Sequence, residues 1–249
     1  HSTAGANIPV VIEARDSNGN LITSYNNNAT ISDTTGTVYE SVEGDTTITF
    51  SDGIYDGNLH VTKAQAGVQI TVTDGAVSDS SNAFKVEPAA LHHFKVEAGV
   101  GGAIGDQVAG TAFDILITAQ DAYDNTVDTY GDNNETVDIS DSTGTITPTT
   151  SGVFSSGTKT ERVTITKAQA GVQITVKDSA TQSYQGTSNT FDVDPGSLAQ
   201  FVFTKQPDDP STAGADIHVV IEAQDSNGNL ITSYNNNATI SDTTGTVYE

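Results

Sequence analysis

STAGANIPVVIEARDSNGNLITSYNNNATISDTTGTVYE, residues 2–40, returns at residues 211–249 as STAGADIHVVIEAQDSNGNLITSYNNNATISDTTGTVYE. The two copies agree at 36 of 39 positions with an offset of 209, the changes being Asn7 to Asp216, Pro9 to His218 and Arg15 to Gln224. Unrelated segments do not agree this closely, so the chain is read as a tandem array.

A weaker echo halves the period. Thr62 to Val72 (TKAQAGVQITV) recurs at Thr166 to Val176, and Val11-Ile12-Glu13-Ala14-Arg15-Asp16 aligns with Leu116-Ile117-Thr118-Ala119-Gln120-Asp121. The unit is therefore about 105 residues, an ordinary size for one domain, and 209 residues make a pair of units. The expected division is 1–88, 89–197 and 198–249. The middle unit opens with Leu91-His92-His93-Phe94-Lys95-Val96 and the last with Leu198-Ala199-Gln200-Phe201-Val202-Phe203. The first has no such opening strand, and the last stops where the first continues into Ser41. The expectation is a window from a longer array. A missing opening strand leaves an exposed sheet edge, which either a neighbouring copy or the continuation of the array would cover.

Charge narrows the partners. With 32 acidic and 9 basic residues the net charge is −23. Nucleic-acid binding needs a basic face to neutralise phosphates, and anionic membrane surfaces repel such a chain. Cys, Met and Trp are absent, which excludes disulfides, thiolate chemistry and Cys-based zinc sites. No apolar run is long enough to span a bilayer.

The hydrophobic period is two. Phe113 to Ala119, Val163 to Thr166, Val68 to Val72 and Val172 to Val176 place Val or Ile on one side and Thr or Gln on the other, the pattern of half-buried strands. Turn clusters separate them, such as Asp16-Ser17-Asn18-Gly19-Asn20 and Asp33-Thr34-Thr35-Gly36, where Gly and Asn accept positive φ. In the middle unit strands are expected near 91–97, 113–120, 136–140, 160–166, 171–177 and 189–193, with a short one at 144–147. Lys63 to Ala66 is expected to be the loop before a strand. Six or seven short strands per hundred residues predict an all-β fold of tandem immunoglobulin-like two-sheet sandwiches. The expected core is Phe94, Val96, Phe113, Ile115, Ile117, Val163, Ile165, Ile174, Val176 and Phe191. Short junctions carrying Pro88 and Pro195 suggest a semi-rigid rod.

Taken together, LAQFVFTKQP, VVIEAQDSNGN and TKAQAGVQITV resemble the bacterial and archaeal immunoglobulin-like repeats of invasin and intimin type, which occur in surface adhesins, S-layer proteins and extracellular filaments. The most specific parts are Gln224-Asp225-Ser226-Asn227-Gly228-Asn229 and the Ala66-Gly67 or Ala170-Gly171 pair. The resemblance implies an extracellular, cell-surface location and a non-enzymatic structural repeat that self-associates with further copies. An adhesin module for a glycan or host protein is the alternative. The middle unit departs from the pattern at Asp121-Ala122-Tyr123-Asp124-Asn125, where the turn glycine is missing.

Three loops gather oxygen donors: Asp16, Asn18 and Asn20; Asp121 and Asp124; Asp225, Asn227 and Asn229. Calcium takes six to eight oxygens and such loops supply some of them; the same residues also form Asx-turns, in which the side chain caps its own backbone. Calcium is therefore the one candidate cofactor. Asn28, Asn134 and Asn237 head N-x-T sequons at matching places in the three units, candidates for glycosylation. His92 and His93, opening a strand, are expected on opposite faces. Tyr25, Tyr130 and Tyr234 occupy equivalent positions and are expected to pin loops or stack on a sugar. No nucleophile elbow, zincin helix or phosphate loop is present, so no catalytic residue is assigned.

Overall fold

In the middle unit the strand Phe113–Gln120 shows how alternation becomes architecture. Its inward residues Ile115, Ile117 and Ala119 are fully buried. It pairs antiparallel on one side with the opening strand His93–Ala98 and on the other with Thr158–Val163. Facing this sheet, Val137–Asp141, Ile174–Asp178 and Gln185–Thr187 form a second antiparallel sheet. Gln107–Val108, Phe191–Asp194 and Gln169–Val172 form a third, smaller one, with the first two strands parallel. The result is an immunoglobulin-like sandwich without a helix among the described residues. This computed structural model describes residues 1–248, so Glu249, the last residue of the expected third unit, lies outside the described residues.

Nine of the ten expected core residues are buried, and Phe113 is partly buried against the same cluster. Each fully buried aliphatic or aromatic side chain contributes roughly 1.5–3 kcal/mol. Two expectations differ from the structure. The single strand expected at 171–177 is two strands, because the chain steps between sheets at Gln173, with Val172 and Ile174 buried on either side. Periodicity does not register a change of sheet. The expected strand at 144–147 is reduced to one bridge, Thr147 to Thr164. Further, the Lys63–Ala66 loop is partly strand, since Gln65–Val68 pairs with Phe84–Glu87.

The first unit repeats the plan. Its second strand, Ile8–Glu13, pairs with Ile54–Val61, and Asn28–Asp33 lies between Thr47–Thr49 and Ile70–Asp74. Ser2–Thr3 runs parallel to Phe84–Glu87, as Gln107–Val108 does to Phe191–Asp194. Its core includes Ile31, Ile48, Leu59, Val61 and Val68. One strand differs: the outer edge of Ile8–Glu13 has no partner among the described residues. In the third unit, Gln200–Lys205 pairs antiparallel with Val220–Gln224.

Replacing Ile117 by Ala removes a fully buried side chain from the middle core. The expected loss of unfolding free energy in that unit is about 2–5 kcal/mol, readable by denaturant titration; a change under about 0.5 kcal/mol would contradict the packing described.

Candidate functional site at the joins

The loop after each second strand is closed by its own aspartate. In Asp121–Asn125 the backbone N–H groups of Tyr123 and Asn125 donate to Asp121 Oδ1 at 2.8 and 2.9 Å, and Asn125 Nδ2 donates to Oδ2 at 2.9 Å. Asp225–Asn229 repeats this: Asn227 N–H at 2.8 Å, Asn229 N–H at 2.9 Å and Asn229 Nδ2 at 2.8 Å. Asp16–Asn20 does so as well, with Asn18 and Asn20 N–H both at 2.9 Å and Asn20 Nδ2 at 3.0 Å. The missing glycine changes little. Asp124 takes φ 63 where Gly19 has 85 and Gly228 has 83, and Asp is among the residues that enter the left-handed region.

These loops reach beyond their own units. Asn125 Oδ1 accepts the N–H of Ala64 at 2.8 Å, and its Nδ2 donates to Thr62 O at 2.8 Å. Asp121 Oδ2 accepts the N–H of Ala89, in the segment that connects the first and middle units, at 2.8 Å. At the next join, Asn229 bonds Ala168 N–H and Thr166 O, and Asp225 bonds Gly196 N–H, again at 2.8 Å each. The joins are thus built alike, with three hydrogen bonds each, and Asp121 and Asp225 are both wholly buried. The socket is the recurring Thr-Lys-Ala-Gln-Ala-Gly stretch, whose role the sequence does not disclose; its recurrence at an offset of 104 is the signal.

Glycine completes the contact. Gly5 and Gly110 have φ 72 and 78, and a Cβ would lie 2.0 Å from the Tyr123 hydroxyl oxygen at one and 2.6 Å from Asn227 Nδ2 at the other. No other residue gives both the backbone conformation and the space.

Burial pushes the Asp121 carboxyl up, but the bonds from Asn125, Ala89 and Tyr123 outweigh it and hold the group below the usual carboxylate range. Asp225 is held down likewise, against burial, by Asn229, Gly196 and Asn227. The exposed Asp16 is lowered by Asn20 first, then by the neighbouring N–H groups.

Of the candidate cation ligands, Asp121 turns its oxygens to N–H donors of Ala89, Tyr123 and Asn125. Asp124 turns away, with Oδ1 3.3 Å from His93 Nε2. No cluster of three His, Asp or Glu side chains suited to a metal occurs among the described residues. Asn28, Asn134 and Asn237 are all exposed. His92 precedes the strand, which begins at His93, so strand alternation does not separate the pair, and the two Nδ1 atoms lie 3.2 Å apart. Tyr130 does pin a loop: burial and then its 2.6 Å bond to Asp178 raise its hydroxyl above the ordinary value. Tyr25, bonded to Asp74 at 2.7 Å, is pushed up to about 12.

No family model matches the sequence, and no curated protein does. The chain is similar to solved structures of bacterial surface proteins. FdeC, an adhesin of Escherichia coli, is 16% identical with a TM-score of 0.40, over 93% of this chain and 73% of that one. Domains 4–9 of surface layer protein SbsC are 16% identical at 0.30, over 93% and 33%. Invasin, a bacterial integrin-binding protein, is 17% identical at 0.36, over 94% and 47%. The chain thus spans less than half of the last two, and likeness at this level assigns no activity. The sandwich assignment stands on strand order.

Removing the Asn229 side chain leaves buried groups at the second join without partners, at a cost of about 1–3 kcal/mol. Hydrogen-exchange protection of the Ala168 amide is expected to fall roughly ten-fold or more in Asn229→Ala; unchanged protection would contradict the contact. Acid should act similarly. A carboxyl depressed in the folded state stabilises fully above its ordinary value of about 3.9. That contribution is lost as pH falls through the depressed value, so protection at Ala89 and Gly196 should decline below about pH 4.

Proposed function

We propose that the chain is a non-enzymatic structural repeat of an extracellular cell-surface protein, a rod of sandwiches in series that also associates with further copies. The observation that carries this is the repetition of one three-bond clasp at both joins. A flexible linker fixes no angle between domains, whereas a buried, directional contact repeated at each step fixes the same angle each time, and identical steps generate a straight or regularly twisted rod. The net charge of −23 favours solubility of such rods. The sequons at Asn28, Asn134 and Asn237 are exposed, so glycans there would coat the rod.

Negative-stain electron microscopy of the chain is expected to show straight particles with about 40 Å of length per complete unit, from a longest strand of eight residues plus end loops. Particles bent at random between units would contradict the reading. Chelator treatment separates the two readings of the Asp–Asn loops. With N–H groups as partners, the unfolding temperature is expected to stay within about 1 °C; a fall of several degrees, of the size that loss of 1 kcal/mol or more produces, would return the loops to calcium.

A further inference from the structure

The two joins share their hydrogen bonds but not the side chains beside them. Two places after Asp121 the middle unit's loop carries Tyr123. Two places after Asp225 the third unit's loop carries Asn227, which matches Asn18 of the near-identical first copy. Each presses on a glycine of the preceding unit, Tyr123 on Gly5 through its hydroxyl end and Asn227 on Gly110 through its amide. A ring fills one place and a short amide the other.

The surfaces that receive them also differ. Gly5 N–H donates to Val61 O and Gly110 N–H to Ile165 O, both at 2.9 Å, so each glycine lies beside the strand residue before, His60 or Thr164. In the first unit Tyr39 pairs with His60 across two strands. Their rings stack with centroids 4.7 Å apart and planes at 10°. His60 Nδ1 donates to Gly5 O at 3.2 Å, and both side chains are partly buried. Burial raises the Tyr39 hydroxyl above its ordinary value, and the nearby Tyr123 and Glu43 raise it further. Tyr123 therefore borders Gly5 and Tyr39 together. In the middle unit the corresponding bridge pairs Thr147 with Thr164, and neither carries a ring.

We propose that Tyr123, with Tyr39 and His60, sets the order of units: the shoulder of the first unit selects the middle unit's loop over a loop of its own kind. A loop with asparagine at this place leaves the Tyr39–His60 pair uncovered. A tyrosine loop on Thr147 and Thr164 meets no ring. Like docked on like forfeits an aromatic contact, a difference of about two- to ten-fold in the docking equilibrium, and selection between neighbours is such a difference. The 209-residue offset between near-identical copies is then the spacing at which one kind of shoulder recurs.

This inference rests on the docked joins of the rod reading, and amide exchange in the full chain separates the two. Ala64 and Ala168 report on the first and second joins. Ile31, whose N–H donates to Thr46 O inside the first unit, reports whether that unit stays folded. Tyr123→Asn writes the other loop into the middle unit. It is expected to lower protection at Ala64, relative to Ile31, by about two- to ten-fold and to leave Ala168 unchanged. Tyr39→Thr with His60→Thr writes in the other shoulder and is expected to lower the same ratio equally. All three changes together are expected to cost no more than either set alone, because they remove one shared contact. Asn227→Tyr, which sets a ring on Thr147 and Thr164, is expected not to raise protection at Ala168. An unchanged ratio in Tyr123→Asn, losses that multiply in the combined chain, or a rise at Ala168 in Asn227→Tyr overturns the selection and leaves the rod standing. Failure of the rod shows separately, as exchange at Ala64 and Ala168 no slower than in an unstructured chain before any substitution.

Discussion

A carboxylate buried at a domain boundary is costly unless each lone pair is met by a donor. Asp121 and Asp225 meet that condition only when two units are docked. Within its unit each aspartate is satisfied by its own loop, and the last acceptor position is filled by the N–H of Ala89 or Gly196 from the connecting segment. The asparagine four residues later spans the join, one end of its amide donating and the other accepting. A side-chain amide offers a donor and an acceptor on two neighbouring atoms of one rigid plane. A shift along the socket would leave both ends unmet, so the contact fixes position as well as strength.

The sandwiches serve this contact. The loop that carries the clasp leaves the second strand of its unit, whose inward residues Ile115, Ile117 and Ala119 in the middle unit are fully buried. The socket lies between Val61 or Ile165 and Val68 or Val172, all four buried. Each half of the join is therefore held by core residues on both sides, which gives a repeated hydrogen-bond set its precision. The remaining surface, strongly acidic and without an apolar span, is free to face solvent.

Much of the fold is legible in the sequence because a two-residue period and a 105-residue echo each have one structural meaning. The alternation at Phe113 to Ala119 states which residues face inward, and the structure buries those residues. Sheet switching at Gln173 is not legible, since alternation continues through it. The joins were half legible. The Asp-x-Asn-x-Asn pattern marks a loop rich in oxygen donors, but apart from the Asn125 amide the partners of Asp121 are backbone N–H groups, which no sequence pattern displays. The Thr-Lys-Ala-Gln-Ala-Gly stretch contributes main-chain atoms of Thr62 and Ala64, so its side chains give no chemical hint of a socket. Of the motifs that look most specific, the Asp225–Asn229 loop makes the contact, while the Ala66-Gly67 and Ala170-Gly171 pairs lie just beyond the Thr62, Ala64, Thr166 and Ala168 atoms that receive it.

The central claim is that this contact holds neighbouring units at one angle. It is tested most directly by measuring the distance distribution between spin labels at Val42 and Val100, exposed positions in the first and middle units, in a chain with no native cysteine to compete for label. The account predicts one narrow distribution that broadens when Asn125 is replaced by Ala. A broad distribution in the unsubstituted chain, or a narrow one that survives loss of Asn125, would contradict it.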